Sequence, residues 1–432
     1  MSGEFGFGVQ RQVSRSVFTY LRGVVWLLLL PLLACVAAVG HTYLIYPRRL
    51  LRFGSGEGAA ERGCTVNREP STWPDVHLLM AVHNEEAILE RKLATISAQD
   101  YPGRLVLHIG SDRSTDTTNA ILRRFASASR FSVTLHLNAD RRGKPATVNL
   151  LARDLPRKSI LVLTDASVLL RPDTVTELIR PLALTPELGL TDSRMVHTLV
   201  RRDGIAAVED GYIRGEVALK AAESERYGRF IGPFGGCWAI RAAAFRPVPA
   251  TFLVDDFYLC MAAYRDGWRG RTVPTATVHE DVGQTIRGEF RRKVRIGAGN
   301  WQNLVAFREL WWPPWRSDLA YAFFSHKVLR WCTPLFLITG AGCWFLLVLL
   351  SGNYWLGLLF VGLIGAWTVA IVGERLLSVF GIHCTRVRAL TYFTVMNLAL
   401  LLGMLRYLNG ISTNVWQPSD RPRADGPRHD PE

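Results

Sequence analysis

The rhythm of apolar and polar positions changes along the chain. Residues 24–40, "VVWLLLLPLLACVAAVG", carry no charge, and the uncharged stretch runs on to Pro47. That satisfies the roughly 20 residues a helix needs to cross a bilayer core. From position 76 the apolar runs become short. "VHLLMAV" (76–82), "RLVLHIGS" (104–111), "SVTLHLN" (132–138) and "SILVLTD" (159–165) read as strands, and the first three are each followed by a segment of helical period. Such alternation predicts a parallel sheet with helices on both faces. Long apolar stretches return at 331–350, 354–372 and 389–405. The expected division is therefore an N-terminal segment 1–23, a transmembrane helix 24–46 and a linker 47–73. An α/β domain follows at 74–300, then an interfacial amphipathic segment 301–327, three transmembrane helices within 328–408, and a polar tail 409–432.

Composition sharpens this picture in three ways. Apolar residues make up 49% of the 432, as expected of an integral membrane protein. A cleaved signal peptide would have an apolar part of only about 7–15 residues. The first stretch is longer, and the later spans already commit the chain to the membrane. The net charge of +14 is almost wholly arginine, with only six lysines among 51 basic residues. Its clusters, "RRLLR" (48–52) and "RRKVR" (291–295), lie outside any nucleic-acid module and fit the cytoplasmic ends of membrane segments. No nucleic-acid partner is expected. The seven cysteines never form a CxxC pair, which argues against a disulfide framework or a zinc site.

Candidate chemistry gathers where strands end. Asp112 and Asp165 stand just past the carboxyl ends of two strands, the edge where open α/β sheets bind ligands. A carboxylate there is costly unless compensated, so Asp165 is either a turn cap or a ligand for something positive. Neither a GxGxxG fingerprint nor a Walker loop is present. The loop "ADRRGKPATVN" (139–149) instead sets Arg141, Arg142 and Lys144 at a helix start, which favours anions. Acidic groups beside it suggest a phosphorylated ligand held partly through Mg²⁺ or Mn²⁺.

Taken in order, these segments resemble the family-2 glycosyltransferases, the membrane-bound group that includes cellulose, hyaluronan and poly-N-acetylglucosamine synthases. The resemblance covers roughly residues 74 to 330. It implies a GT-A fold, the Rossmann-like α/β domain of nucleotide-diphospho-sugar transferases, with flanking transmembrane helices. "VHNEE" (82–86) would line the nucleotide pocket through Glu85, Asp112 of "GSDRSTDTT" (110–118) would contact the nucleoside, and Lys144 would lie near the base or diphosphate. Asp165 of "TDAS" matches the first carboxylate of the Asp-x-Asp metal motif, with Ser167 where the second would stand. The segment "GPFGGCWAIR" (232–241) would approach the acceptor through Gly235, Gly236 and Trp238. In "FLVDDFY", Asp255 takes the place of the family's glutamate and Asp256 that of the catalytic base. Processive synthases carry Gln-x-x-Arg-Trp where this chain has Arg292, Arg295 and Ile296. The sugar-capping tryptophan is thus missing, while Arg295 and Arg292 remain as diphosphate contacts. His279 of "VHED" is either a metal ligand or structural.

The resemblance implies an inverting β-glycosyltransferase that uses a UDP-sugar of the glucose or N-acetylglucosamine type. Its product would be an exported polysaccharide or lipid-linked glycan, with membrane lipids and export or assembly proteins as partners. The alternatives are a single-sugar transferase acting on a polyprenyl-linked acceptor, and a non-catalytic sugar-nucleotide-binding subunit. Cytosolic nucleotide sugars would place the domain on the cytoplasmic face of a bacterial-type inner membrane. Counting spans then puts the tail, with Arg421, Arg423 and Arg428, on the opposite side, unless one span is re-entrant or the first segment lies along the surface.

Overall fold

The computed structural model describes residues 25–54, 68–198, 205–281, 286–379 and 385–414. The expected N-terminal segment, residues 55–67 of the linker and most of the polar tail lie outside the described residues.

The first apolar helix, α1 (Val25–Arg52), is followed by an eight-stranded sheet with its covering helices. The order along the chain is β1 (Val76–Val82), α2 (Leu89–Ser97), β2 (Leu105–Asp112), α3 (Thr118–Ala128), β3 (Ser132–Asn138), α4 (Lys144–Ala152) and β4 (Ile160–Thr164). Then come β5 (Val168–Leu170), α5 (Thr174–Leu184), β6 (Leu188–Thr198), α6 (Ile205–Tyr227), β7 (Cys237–Arg241), α7 (Asp255–Arg265) and β8 (Arg269–Asp281). The sheet runs β3-β2-β1-β4-β7-β6-β8-β5. The four strands expected from the sequence pair in parallel, and β7 joins β4 antiparallel.

Every residue of β1 and β4 is buried, as continuous apolar strands covered on both faces must be. Alternate side chains divide between two cores. Val76, Leu78, Met80 and Val82 pack with α2 and α5, whereas Leu79 and Ala81 pack with Leu163, Trp238 and α4. The second core continues into α8 (Ile286–Ala306) through Leu304, into Phe307, and into α9 (Asp318–Phe323) through Phe323, so the sheet and the membrane-proximal helices share one interior.

Three further apolar helices follow: α10 (Thr333–Ser351), α11 (Tyr354–Val379) and α12 (Thr385–Leu408). Among the described residues four helices, α1 included, are long and apolar enough to cross a membrane. The first extends beyond the expected span. Helical backbone continues to Gly54, and Tyr46 and Leu50 are buried in the domain core. Tyr46 Oη donates to Glu223 Oε1 at 2.8 Å, and the fully buried His326 holds the same oxygen at 2.7 Å. Glu216 meets His326 at 3.1 Å, Lys327 at 2.9 Å and Arg330. Burial by itself would raise the Glu216 carboxyl, but Arg330, Lys327 and His326 hold it well below the usual carboxylate range. This buried ionic cluster locks α6 to the chain entering α10.

The last apolar helix packs closely along α8. Gly297 of α8 and Gly403 of α12 meet so closely that a Cβ on Gly403 would stand 2.7 Å from the Ala298 nitrogen. Small residues allow this approach of two helix backbones. Beyond α12, Asn414 reaches Gly143 in the loop before α4.

Candidate active site

The site is built at the carboxyl ends of β1, β2 and β4. Strand β2 ends on Asp112, fully buried, whose oxygens accept the backbone N–H groups of Arg142 (2.7 Å) and Gly143 (2.8 Å). Those donors satisfy a carboxylate that would otherwise be costly to bury. Gly143 adopts φ +85°, and α4 begins at the next residue. In this geometry Asp112 shapes the loop from beneath and thereby sets the position of Lys144.

Lys144 Nζ lies 2.7 Å from Asp165 Oδ1 and 3.6 Å from Asp255 Oδ2. Burial would depress its pKa, yet Asp165, Asp255 and Asp256 together hold the ammonium well above its ordinary value. The turn that carries Asp165 is fixed twice. Its N–H and the Thr164 hydroxyl both donate to the Gly236 carbonyl at 3.0 Å, so the β4–β7 pairing brings the glycine-rich loop beside Asp165. Behind it, the fully buried Lys92 donates to Thr164 Oγ1 at 2.7 Å and to the Val168 carbonyl.

Asp255 and Asp256 open α7. Asp256 Oδ1 accepts the Phe257 N–H at 2.7 Å. Burial first, and then the neighbouring Asp255 charge, push Asp256 up to about 6 against the opposing pull of Lys144. A carboxylate with a pKa near working pH is suited to general-base work. Gly235, at φ +82°, passes directly over it, and a Cβ there would stand 2.1 Å from Asp256 Oδ2. Arg295 donates to the Leu253 carbonyl at 2.8 Å and feels the charges of Asp255, Asp256 and Asp165. The structure thus gathers Lys144, Asp165, Asp255, Asp256, Gly235, Gly236 and Arg295 around one place.

Other expected residues stand elsewhere. Trp238 offers no stacking face to a sugar. It sits on the interior strand β7, paired with Leu163 and Asp192, and is 1% exposed. An interior strand with a core on each face leaves a large ring nowhere else to go. Glu85 lies in the β1–α2 turn, its N–H bound to Thr118 Oγ1 at 2.9 Å. Arg292 is exposed on α8. His279 pairs with Leu169 at the β5–β8 edge, and burial, Arg171 and Arg194 lower its pKa.

A divalent cation fits the oxygen donors present. Among the described residues no group of three His, Cys, Asp or Glu side chains forms a cage. Asp165 is 37% exposed, and Ser167, two residues on, donates to Glu280 Oε1 at 3.2 Å. One or two carboxylates suit Mg²⁺ or Mn²⁺, which keep waters and draw further oxygens from a diphosphate.

Sequence reasoning passed over Lys92, Glu280, Asp192 and Asn414. Lys92 had a signal, being a rare lysine on the apolar face of α2. Asn414 had none, because only the tertiary fold brings it to Gly143.

Known proteins align with this arrangement. A family model described as "Glycosyltransferase like family 2" matches residues 74–299. An N-acetylglucosaminyltransferase of Rhizobium leguminosarum bv. viciae is 23% identical over 371 residues, 81% of this chain and 82% of that protein. One of Rhizobium meliloti (strain 1021) is 25% identical, over 79% and 81%. A mannosyltransferase from Pyrobaculum calidifontis, solved with GDP-Man and Mn²⁺, superposes with a TM-score of 0.64 at 23% identity, over 90% of this chain and 99% of that one.

Proposed function

The chain belongs to glycosyltransferase-like family 2, and on that premise we propose that it is a membrane-embedded inverting β-glycosyltransferase. Its donor is a UDP-sugar, N-acetylglucosamine in preference to glucose, and its acceptor is a glycan or a lipid-linked hydroxyl at the cytoplasmic face of a bacterial inner membrane. The sugar is drawn from the bacterial relatives named N-acetylglucosaminyltransferases. One observation carries the mechanism: Asp256, raised to about 6, lies under the Gly235 backbone and beside the Lys144–Asp165 pair.

In this reading the donor diphosphate lies against Lys144 and Arg295, which stabilise the negative charge of the departing nucleoside diphosphate. Asp256 accepts the proton of the acceptor hydroxyl as its oxygen attacks the anomeric carbon opposite the leaving group. The glycine-rich loop admits the acceptor sugar close to that carboxylate. Asp165 and Ser167 would hold a divalent cation, which would supply Lewis-acid stabilisation of the diphosphate. A second reading, single addition to a polyprenyl-linked acceptor, draws support from Ile296 at the place of the processive synthases' tryptophan.

The test is nucleotide release by the purified full chain in lipid nanodiscs with Mg²⁺ or Mn²⁺. Donors would be UDP-N-acetylglucosamine, UDP-glucose and GDP-mannose, with membrane lipid extract as acceptor. Metal-dependent release from one UDP-sugar supports the proposal, and a product ladder or a single added sugar separates the two readings. Release from GDP-mannose alone overturns the donor assignment.

A further inference from the structure

We infer that Asp192, together with Lys220, is a positioning residue for the acceptor side of the site, fixing the Phe234–Gly236 backbone over Asp256. The inference rests on the transferase reading above. Asp192 lies on β6 and is fully buried. Its two oxygens face the Phe234 N–H at 3.2 and 3.4 Å. Lys220 of α6, also buried, places its Nζ 3.6 Å from the centroid of the Phe234 ring. Acid and ammonium therefore hold one residue at both ends, by its backbone and by its ring. The cation over an aromatic face adds an attraction of its own.

The held residue sits in a loop that cannot hold itself. Gly232 and Gly235 flank it at φ +81° and +82°, and glycines impose little conformational restraint. The loop is also tightly bounded. A Cβ on Gly235 would meet Asp256 Oδ2, and one on Gly236 would stand 2.3 Å from Met195 Cε. A small displacement of Phe234 would therefore change the space above the base directly. Ser193, next to Asp192, anchors the far end by donating to the Cys237 carbonyl at 2.6 Å.

Keeping a carboxylate in this position works against stability, which argues for a use. Burial pushes Asp192 up to about 7, with Lys220 opposing and Asp256 adding to the rise. The thiols of Cys237 and Cys260 also face it. An apolar residue on β6 would fill the strand without that cost.

The experiment uses the full chain in nanodiscs and three variants: Asp192→Leu, Asp192→Asn, which keeps an oxygen for the Phe234 N–H, and Lys220→Met. UDP affinity is measured by calorimetry. Transfer from UDP-N-acetylglucosamine is measured with N,N′-diacetylchitobiose and with undecaprenyl phosphate as acceptor probes. We expect UDP affinity within about two-fold throughout, while transfer falls about 10²-fold in Asp192→Leu and about 10-fold in Lys220→Met, as a loop displaced by about 1 Å would cause. Asp192→Asn should recover most of the activity. Parental transfer by Asp192→Leu overturns the inference, and so does a parallel loss of UDP affinity, which would mark a general structural role. Should Asp192→Leu fail to fold, Lys220→Met and Phe234→Leu leave β6 intact, and unchanged transfer in both overturns it equally. Failure of the underlying transferase reading looks different: the parent chain itself would then transfer no more than Asp256→Asn.

Discussion

Replacing Lys144 by methionine removes the ammonium that sits between Asp165 and Asp255 and leaves three acidic groups facing one another. At 2.7 and 3.6 Å the two attractions amount to about 6 and 5 kcal/mol at an effective dielectric near 20. Asp165 is 37% exposed, so solvent screening leaves a net contribution of about 1–3 kcal/mol from the ammonium. If the same group holds the donor diphosphate, affinity for UDP should fall about 10–100-fold. The substitution has a second, independent signature. Lys144 lowers the Asp256 pKa, so its removal must carry that value above about 6. A general base works when ionised, so activity is present above its pKa and lost as pH falls through it. The acidic limb of kcat/KM should therefore move to higher pH in the variant. The assay is a pH–rate profile of nucleotide release from UDP-N-acetylglucosamine, paired with calorimetric titration of UDP. An unmoved limb with unchanged UDP affinity would refute the placement of Lys144, and a limb moved to lower pH would refute the electrostatics.

Three further outcomes follow from the same geometry. Gly235→Ala places a methyl group in the space above Asp256 Oδ2 at a backbone angle alanine rarely adopts, so transfer should fall by about 10²-fold or more while UDP binds normally; calorimetry and rate measurement together check this. Glu216→Gln leaves Arg330 and Lys327 without their buried anion, which should cost about 3–5 kcal/mol and lower the thermal unfolding midpoint sharply. Asp192 has a folded pKa of about 7 against 3.8, so the native state binds its proton more tightly than the unfolded chain does. Its destabilisation is absent below the unfolded value, grows as pH rises from there, and is complete above the folded value. Asp192→Asn should accordingly be more stable than the parent by up to about 4 kcal/mol above neutrality, with the gain vanishing toward about pH 4; unfolding midpoints across that range decide it.

The strands β1, β2 and β4 were legible because continuous burial leaves a run of branched and leucine side chains, and the edge strand β3 because its polar and apolar residues alternate. Asp255, Asp256, Lys144 and Asp165 were legible because each stands at an element boundary, where local spacing places it. What escaped the sequence depends on chain segments far apart. Trp238 looks like a sugar platform until β7 is known to be interior. Asp192 reads as an ordinary strand residue until Phe234 arrives from 42 residues away. Lys92 and Thr164, likewise, meet only where α2 packs on the sheet. The packing of the last helix was not legible because hydropathy measures length and composition. It does not register that Gly297 and Gly403 let α12 lie against α8.

The central claim is that Asp256 takes the acceptor proton while Lys144 and Asp165 hold the diphosphate. The most direct test compares the parent chain with Asp256→Asn in the same nanodiscs, measuring UDP affinity and transfer from UDP-N-acetylglucosamine to membrane lipid extract. The account predicts unchanged or slightly tighter UDP binding, with transfer reduced by about 10²–10⁴-fold. Parental transfer by Asp256→Asn, with UDP still bound, would contradict it.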